Sequence, residues 1–137
     1  MAYWLLKTEP ATYSWSDLVA DKKTVWDGVR NFQARNFLLQ MKANDIALIY
    51  HSGEQKSLVG IAKIITGPHA DPKDEKWTAV DLAPWKALAK PVTLLAIKMR
   101  KSLSHIHLVK QSRLSVMPLT IPQAKALLKM GLTELER

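Results

Sequence analysis

Residues 25–52 read VWDGVRNFQARNFLLQMKANDIALIYHS, and three local signals within them decide the kind of fold. A short apolar segment ends at Trp26, and Gly28 then separates it from Val29. From Asn31 the apolar residues Ala34, Phe37, Leu38 and Met41 follow i, i+3, i+4, i+7, which predicts a helix opened by Asn31. Asn44-Asp45 then punctuates the chain, and the run 46–50 predicts a buried strand.

Residues 58–65 form a second apolar run, predicting an antiparallel neighbour for 46–50. Upstream, residues 3–7 read as an opening strand that breaks at Glu9-Pro10, because the residue before proline is pushed to extended geometry. Ser14 with Asp17 three residues on predicts a short helix over 15–19. Downstream, the Gly, Pro and Asp content of residues 66–76 predicts a surface loop, followed by a strand over 77–82. Pro84 and Pro91 bracket a further extended piece, 94–101 reads as a short helix and 113–119 as extended. Thr120, Pro122, Gln123 and a terminal Gly131 specify a last helix carrying Ile121, Ala124, Leu127 and Leu128. Short strands interleaved with short helices predict an α+β domain over residues 1–137, built on a mostly antiparallel sheet or barrel.

A chain of 137 residues with 47% hydrophobic and 23% charged residues has the composition of a folded domain rather than of disorder. There is no cysteine, so disulfides, thiol nucleophiles and thiolate metal sites are excluded. No apolar run approaches the roughly 20 residues of a spanning helix, and the start of the chain does not resemble a signal peptide; a cytoplasmic setting is expected. Residues 1–83 hold 10 basic and 10 acidic side chains, so the net charge of +8 comes entirely from residues 84–137. No acid lies between residues 84 and 133. That asymmetry suits a polyanionic partner such as nucleic acid, the alternative being a solvated basic face.

The histidines 51, 69, 105 and 107 have no metal-ligand spacing, so neither metal nor cofactor is expected. No G-x-S-x-G elbow, P-loop or dinucleotide fingerprint is present. Asp27 and His51 could serve as acid and base only if the fold joined them. Polar residues at the ends of apolar elements, Trp26 to Asn31 and Tyr50-His51-Ser52, can instead converge on a pocket. There a planar ligand could stack on Trp26 and be read by Arg30, Asn31, His51 or Ser52. For Trp4, Trp15, Trp77 and Trp85 packing is the default role.

Taken together, YWLLKTEPATYSWSDL, WDGVRNFQARN, MKANDIALIYHS, LVGIAKI, KWTAVDL, KPVTLLAIK and SRLSVMPLT resemble the EVE domain, in order and over nearly the whole chain. The resemblance implies a PUA-like fold, a small β-barrel with peripheral helices, and a non-catalytic nucleic-acid-binding role. Members are proposed readers of modified cytosine or other modified bases in DNA or RNA. Carried onto this chain, the implied pocket residues are Lys7, Trp26, Val29, Arg30, Asn31, His51, Ser52, Arg113 and Ser115. Asn44 replaces the glycine usual in this family's K-x-G-D turn, which asparagine's tolerance of left-handed geometry allows. Leu39 stands where many members have arginine. The absence of a long basic extension before the motif leads one to expect a bacterial stand-alone module. Two other readings remain: an amidohydrolase-like enzyme on a modified nucleobase, with Lys7, Asp27 or His51 catalytic, and a small-metabolite or protein-interaction module.

Overall fold

The computed structural model describes residues 1–135. The chain runs through β1 (Tyr3–Thr8), α1 (Trp15–Asp21), β2 (Thr24–Trp26), α2 (Phe32–Leu38), β3 (Ile46–His51), β4 (Ser57–Asp71) and β5 (Asp74–Thr93). It continues through α3 (Leu94–Met99), a 3₁₀ turn (Lys101–Leu103), α4 (His107–Lys110), β6 (Val116–Leu119) and α5 (Ile121–Met130). The strands form one sheet in the order β2-β5-β4-β3-β1-β6. Every neighbouring pair is antiparallel except β1 with β3, whose connection through α1, β2 and α2 is long enough for a parallel crossover. The α+β class and the mostly antiparallel sheet expected from the sequence are both present. The barrel is loose, because β2 and β6 stay as the two edges instead of pairing.

All six residues of β3 are buried, as its unbroken apolar run requires of a strand with a neighbour on each side. Leu5, Leu6, Leu58, Ile61, Ile64, Leu82, Val116 and Met117 join it in one core. Local chemistry sets the helix starts. Ser14 and Asp17 form a reciprocal capping box on α1, Thr120 and Gln123 form another on α5, and the Asn31 side chain accepts from the Ala34 amide at 2.9 Å to open α2. Trp15 packs its ring onto Gly60 of β4, where a Cβ would have no room; this seats α1 on the sheet. Asn44 adopts φ 75°, the left-handed geometry expected of it. Asp45 then accepts from the Ala2 amide and the Trp4 indole, each at 3.0 Å, which ties the turn to β1.

Two stretches depart from the sequence reading. Residues 66–76 are not a surface loop: β4 runs on to Asp71 and β5 starts at Asp74, leaving Pro72-Lys73 as the turn. The register shifts near Thr66 and His69, so bulges absorb Gly67 and Pro68 inside a strand. The extended pieces over 77–82 and 84–91 belong to one 20-residue strand, with a register shift opposite Pro84. In the segment between the helix expected over 94–101 and the extended piece expected over 113–119, to which the sequence assigned no element, lie most of the 3₁₀ turn and α4. No helix among the described residues is long and apolar enough to cross a membrane.

Candidate functional site

A cleft of about 810 Å³ opens between the end of β1, strand β2 with the turn that follows it, the tip of the β4–β5 hairpin and the approach to β6. Its volume lies within the usual range for a small-molecule site. Trp26 and Val29 supply the apolar wall, 8% and 6% exposed. Tyr13 meets Trp26 edge-on, with ring centroids 6.2 Å apart and planes at 83°, an arrangement favoured by the ring quadrupoles. So little of Trp26 is free that it acts as a packed wall of the cleft.

The turn that forms this wall is held from a distance. Gly28 takes φ 79° with open space around the missing side chain, so left-handed backbone, not crowding, is what calls for glycine here. Its amide donates to Asp71 Oδ2 at 2.9 Å, and Arg30 donates to the same oxygen at 2.9 Å. The Lys73 amide donates to Asp71 Oδ1 at 2.7 Å. The Asp71 side chain is fully buried while that of Arg30 is 38% exposed. Burial pushes the Asp71 carboxyl up, but the hydrogen bonds from Arg30, Gly28 and Lys73 and the guanidinium charge outweigh it and bring the pKa down to about 2. A hairpin tip is thereby clamped to the turn between β2 and α2.

The polar lining mixes signs: Lys7, Lys23, Arg30 and Lys73 face Glu9, Asp27 and Asp81. Lys73 Nζ lies 3.7 Å from Asp27. Lys7 Nζ donates to the Ser112 carbonyl at 2.6 Å and sits 5.8 Å from the Tyr50 ring centroid, and burial lowers its pKa. His69 shares a 2.8 Å contact with Asp81. The hydrogen bond to Asp81, followed by that to the Ala70 carbonyl, raises the His69 pKa.

Of the residues expected from the sequence, Lys7, Trp26, Val29, Arg30 and Ser115 line the cleft together. Ser115 also fixes the approach to β6, its carbonyl accepting from the Lys7 amide at 2.9 Å. Asn31, His51, Ser52 and Arg113 are not among the lining residues. Asn31 caps α2. His51 Nε2 accepts from the Trp15 amide at 2.9 Å, and its Nδ1 lies 2.7 Å from Gln55 Oε1, so both ring nitrogens hold local structure. Ser52 donates its amide to the Thr8 carbonyl. Arg113 is exposed. Asp27 lines the cleft and His51 does not, so the fold does not assemble that acid and base pair there. Tyr13, Asp71, Lys73 and Asp81 escaped the sequence reading. The Gly, Pro and Asp content of residues 66–76 signalled a loop, but not that Asp71 reaches back to Gly28. Among the described residues no group of three or more His, Cys, Asp or Glu side chains could hold a metal ion.

An apolar wall, a fixed backbone turn and a ring of separate hydrogen-bonding groups can accept a flat heterocycle and read its edge. The chain is similar to several known proteins along nearly its whole length. Mouse thymocyte nuclear protein 1 is 34% identical, over 96% of this chain and 74% of its own. The NMR structure of a Rhodopseudomonas palustris protein is 44% identical and superposes with a TM-score of 0.92, covering 98% of this chain and 97% of that one. Human thymocyte nuclear protein 1, crystallised in complex with 5-methylcytosine-containing DNA, is 28% identical with a TM-score of 0.90, covering 98% of this chain and 100% of that one. The EVE domain model matches residues 2–130, and with relatives this similar along the whole fold, the chain belongs to the EVE domain family.

Proposed function

We propose that this protein is a non-catalytic nucleic-acid-binding module that reads a modified base, 5-methylcytosine or a close analogue, in its cleft. The carrying observation is the cleft itself, with the Trp26–Arg30 turn anchored on Asp71, in a chain whose human relative was crystallised with 5-methylcytosine-containing DNA. The polymer is DNA or RNA, and the setting cytosolic. Stacking on an aromatic contributes about 1–3 kcal/mol per base, and extruding a base costs a few kcal/mol. Base contacts alone therefore do not drive extrusion. The lining is close to neutral, so the surplus comes from phosphate contacts made by the basic residues of 84–133, which carry no acid among them.

The test is binding of short single- and double-stranded DNA and RNA, with cytosine or 5-methylcytosine at one position, at two salt concentrations. Affinity that falls steeply with salt while the preference for the modified base persists supports the reading. Equal affinity for modified and unmodified oligonucleotides overturns it.

A further inference from the structure

Beside the cleft lies a group of side chains that the core does not absorb. Phe32, the first residue of α2, is 65% exposed. Its ring lies 5.1 Å from that of Trp77 on β5, at 31°. The Arg35 guanidinium lies 5.1 Å from the Phe32 centroid and 5.8 Å from that of Trp77, and Arg30 is 5.7 Å from Trp77, all within cation–π range. Arg30 also lines the cleft, so the two surfaces share a side chain.

The charges of the two arginines are handled differently. Arg30 is matched by Asp71 at 2.9 Å. Among the described residues no carboxylate pairs with Arg35, and its Nε is buried without a hydrogen-bond partner. An exposed phenyl ring backed by a half-buried indole, beside an unneutralised guanidinium, has the chemistry that binds unpaired nucleic acid: a π-face for a base and a cation for its phosphate.

We propose that Phe32, Trp77, Arg35 and Arg30 form a stacking platform for an unpaired base next to the nucleotide held in the cleft, on the same strand. The proposal rests on the reading of the cleft as a base pocket, and it adds that the recognised strand is single or locally opened there. The two sites divide the work. The cleft discriminates the modification, and the platform adds affinity that ignores base identity, since every base has a π-face.

The test uses short single-stranded DNA with a central 5-methylcytosine or cytosine, with neighbouring bases intact or one replaced by an abasic residue. It compares the wild type, Phe32→Ala and Phe32→Trp. Phe32 is exposed, so both variants keep the fold. Phe32→Ala should bind the intact strand about 5- to 150-fold more weakly, the loss of one base–aromatic stack, with the preference for 5-methylcytosine unchanged. One abasic position should weaken wild type and Phe32→Trp by a similar factor and weaken Phe32→Ala by clearly less, since only Trp77 and the arginines then remain to hold the base. Wild-type selectivity with Phe32→Ala binding as tightly as wild type, or with equal abasic penalties in both, overturns the platform and leaves the base pocket standing. A Phe32-dependent abasic penalty without any preference for 5-methylcytosine supports the platform and removes the pocket reading. Absence of binding to every strand overturns both.

Discussion

Asp71→Asn removes the charge that ties the hairpin tip to the cleft wall while keeping the shape of the side chain. The carboxyl's fall from 3.8 to about 2 corresponds to about 2 kcal/mol of folded-state preference for the ionised form. Charge-assisted hydrogen bonds independently suggest about 1.5–3 kcal/mol. The larger penalty of breaking a fully buried ion pair does not apply, because water reaches Arg30 once its partner is lost. The folded pKa lies below the unfolded one, so this stabilisation is complete well above pH 4 and fades as pH falls through 3.8 towards 2. Urea unfolding of wild type and Asp71→Asn across that range isolates the contribution, since other carboxylates titrate alike in both. Asp71→Asn should be less stable by about 2 kcal/mol at pH 7, with the difference closing towards pH 2. A difference below about 0.5 kcal/mol at pH 7, the scale of an ordinary surface substitution, or one that does not change with pH, would refute the clamp.

Three further outcomes follow from the same geometry. His69, its pKa raised chiefly by the hydrogen bond to Asp81, contributes stability that is present below pH 6.5 and lost as pH rises through the folded value. NMR titration of its ring protons should show the pKa drop in Asp81→Asn, and an unchanged midpoint would break the assignment. Gly28→Ala meets no steric obstacle but must hold φ 79°, costing about 1–2 kcal/mol in thermal or urea unfolding; a neutral result would mean that the turn relaxes. Asn31→Ala should lose about 1 kcal/mol by removing the α2 cap, with Asn31→Ser recovering most of it. If serine fails to recover stability, Asn31 has a role besides capping.

What was legible along the chain is what neighbouring residues decide between themselves. The capping boxes of Ser14 with Asp17 and Thr120 with Gln123, the Asn31 cap and the left-handed Asn44 each need only a few positions in sequence, and the structure contains all of them. The WDGVRN turn could be picked out as a pocket candidate from its polar residues at the end of an apolar element, and again through family resemblance. Its anchor could not, because Asp71 is 43 residues from Gly28 and 41 from Arg30 and lies in a stretch whose Gly and Pro content imitates a loop. Bulges let β4 and β5 carry those residues as strands, and only the paired hairpin brings Asp71 home. His51 shows the opposite hazard. Its place at a strand end beside Ser52 suggested ligand contact, yet its ring is occupied by the Trp15 amide and Gln55. Trp77 read as packing for a similar reason, since its partners Phe32 and Arg35 meet it only across the fold.

In the proposed complex the modified base itself enters the cleft. Mapping amide and indole NMR shifts while titrating single-stranded DNA with one 5-methylcytosine tests it most directly, with the cytosine strand as reference. Modification-dependent shifts are expected at Gly28, Val29 and the Trp26 indole, while basic residues of 84–133 respond equally to both strands. Shifts confined to those basic residues, with the cleft signals unmoved, would contradict it.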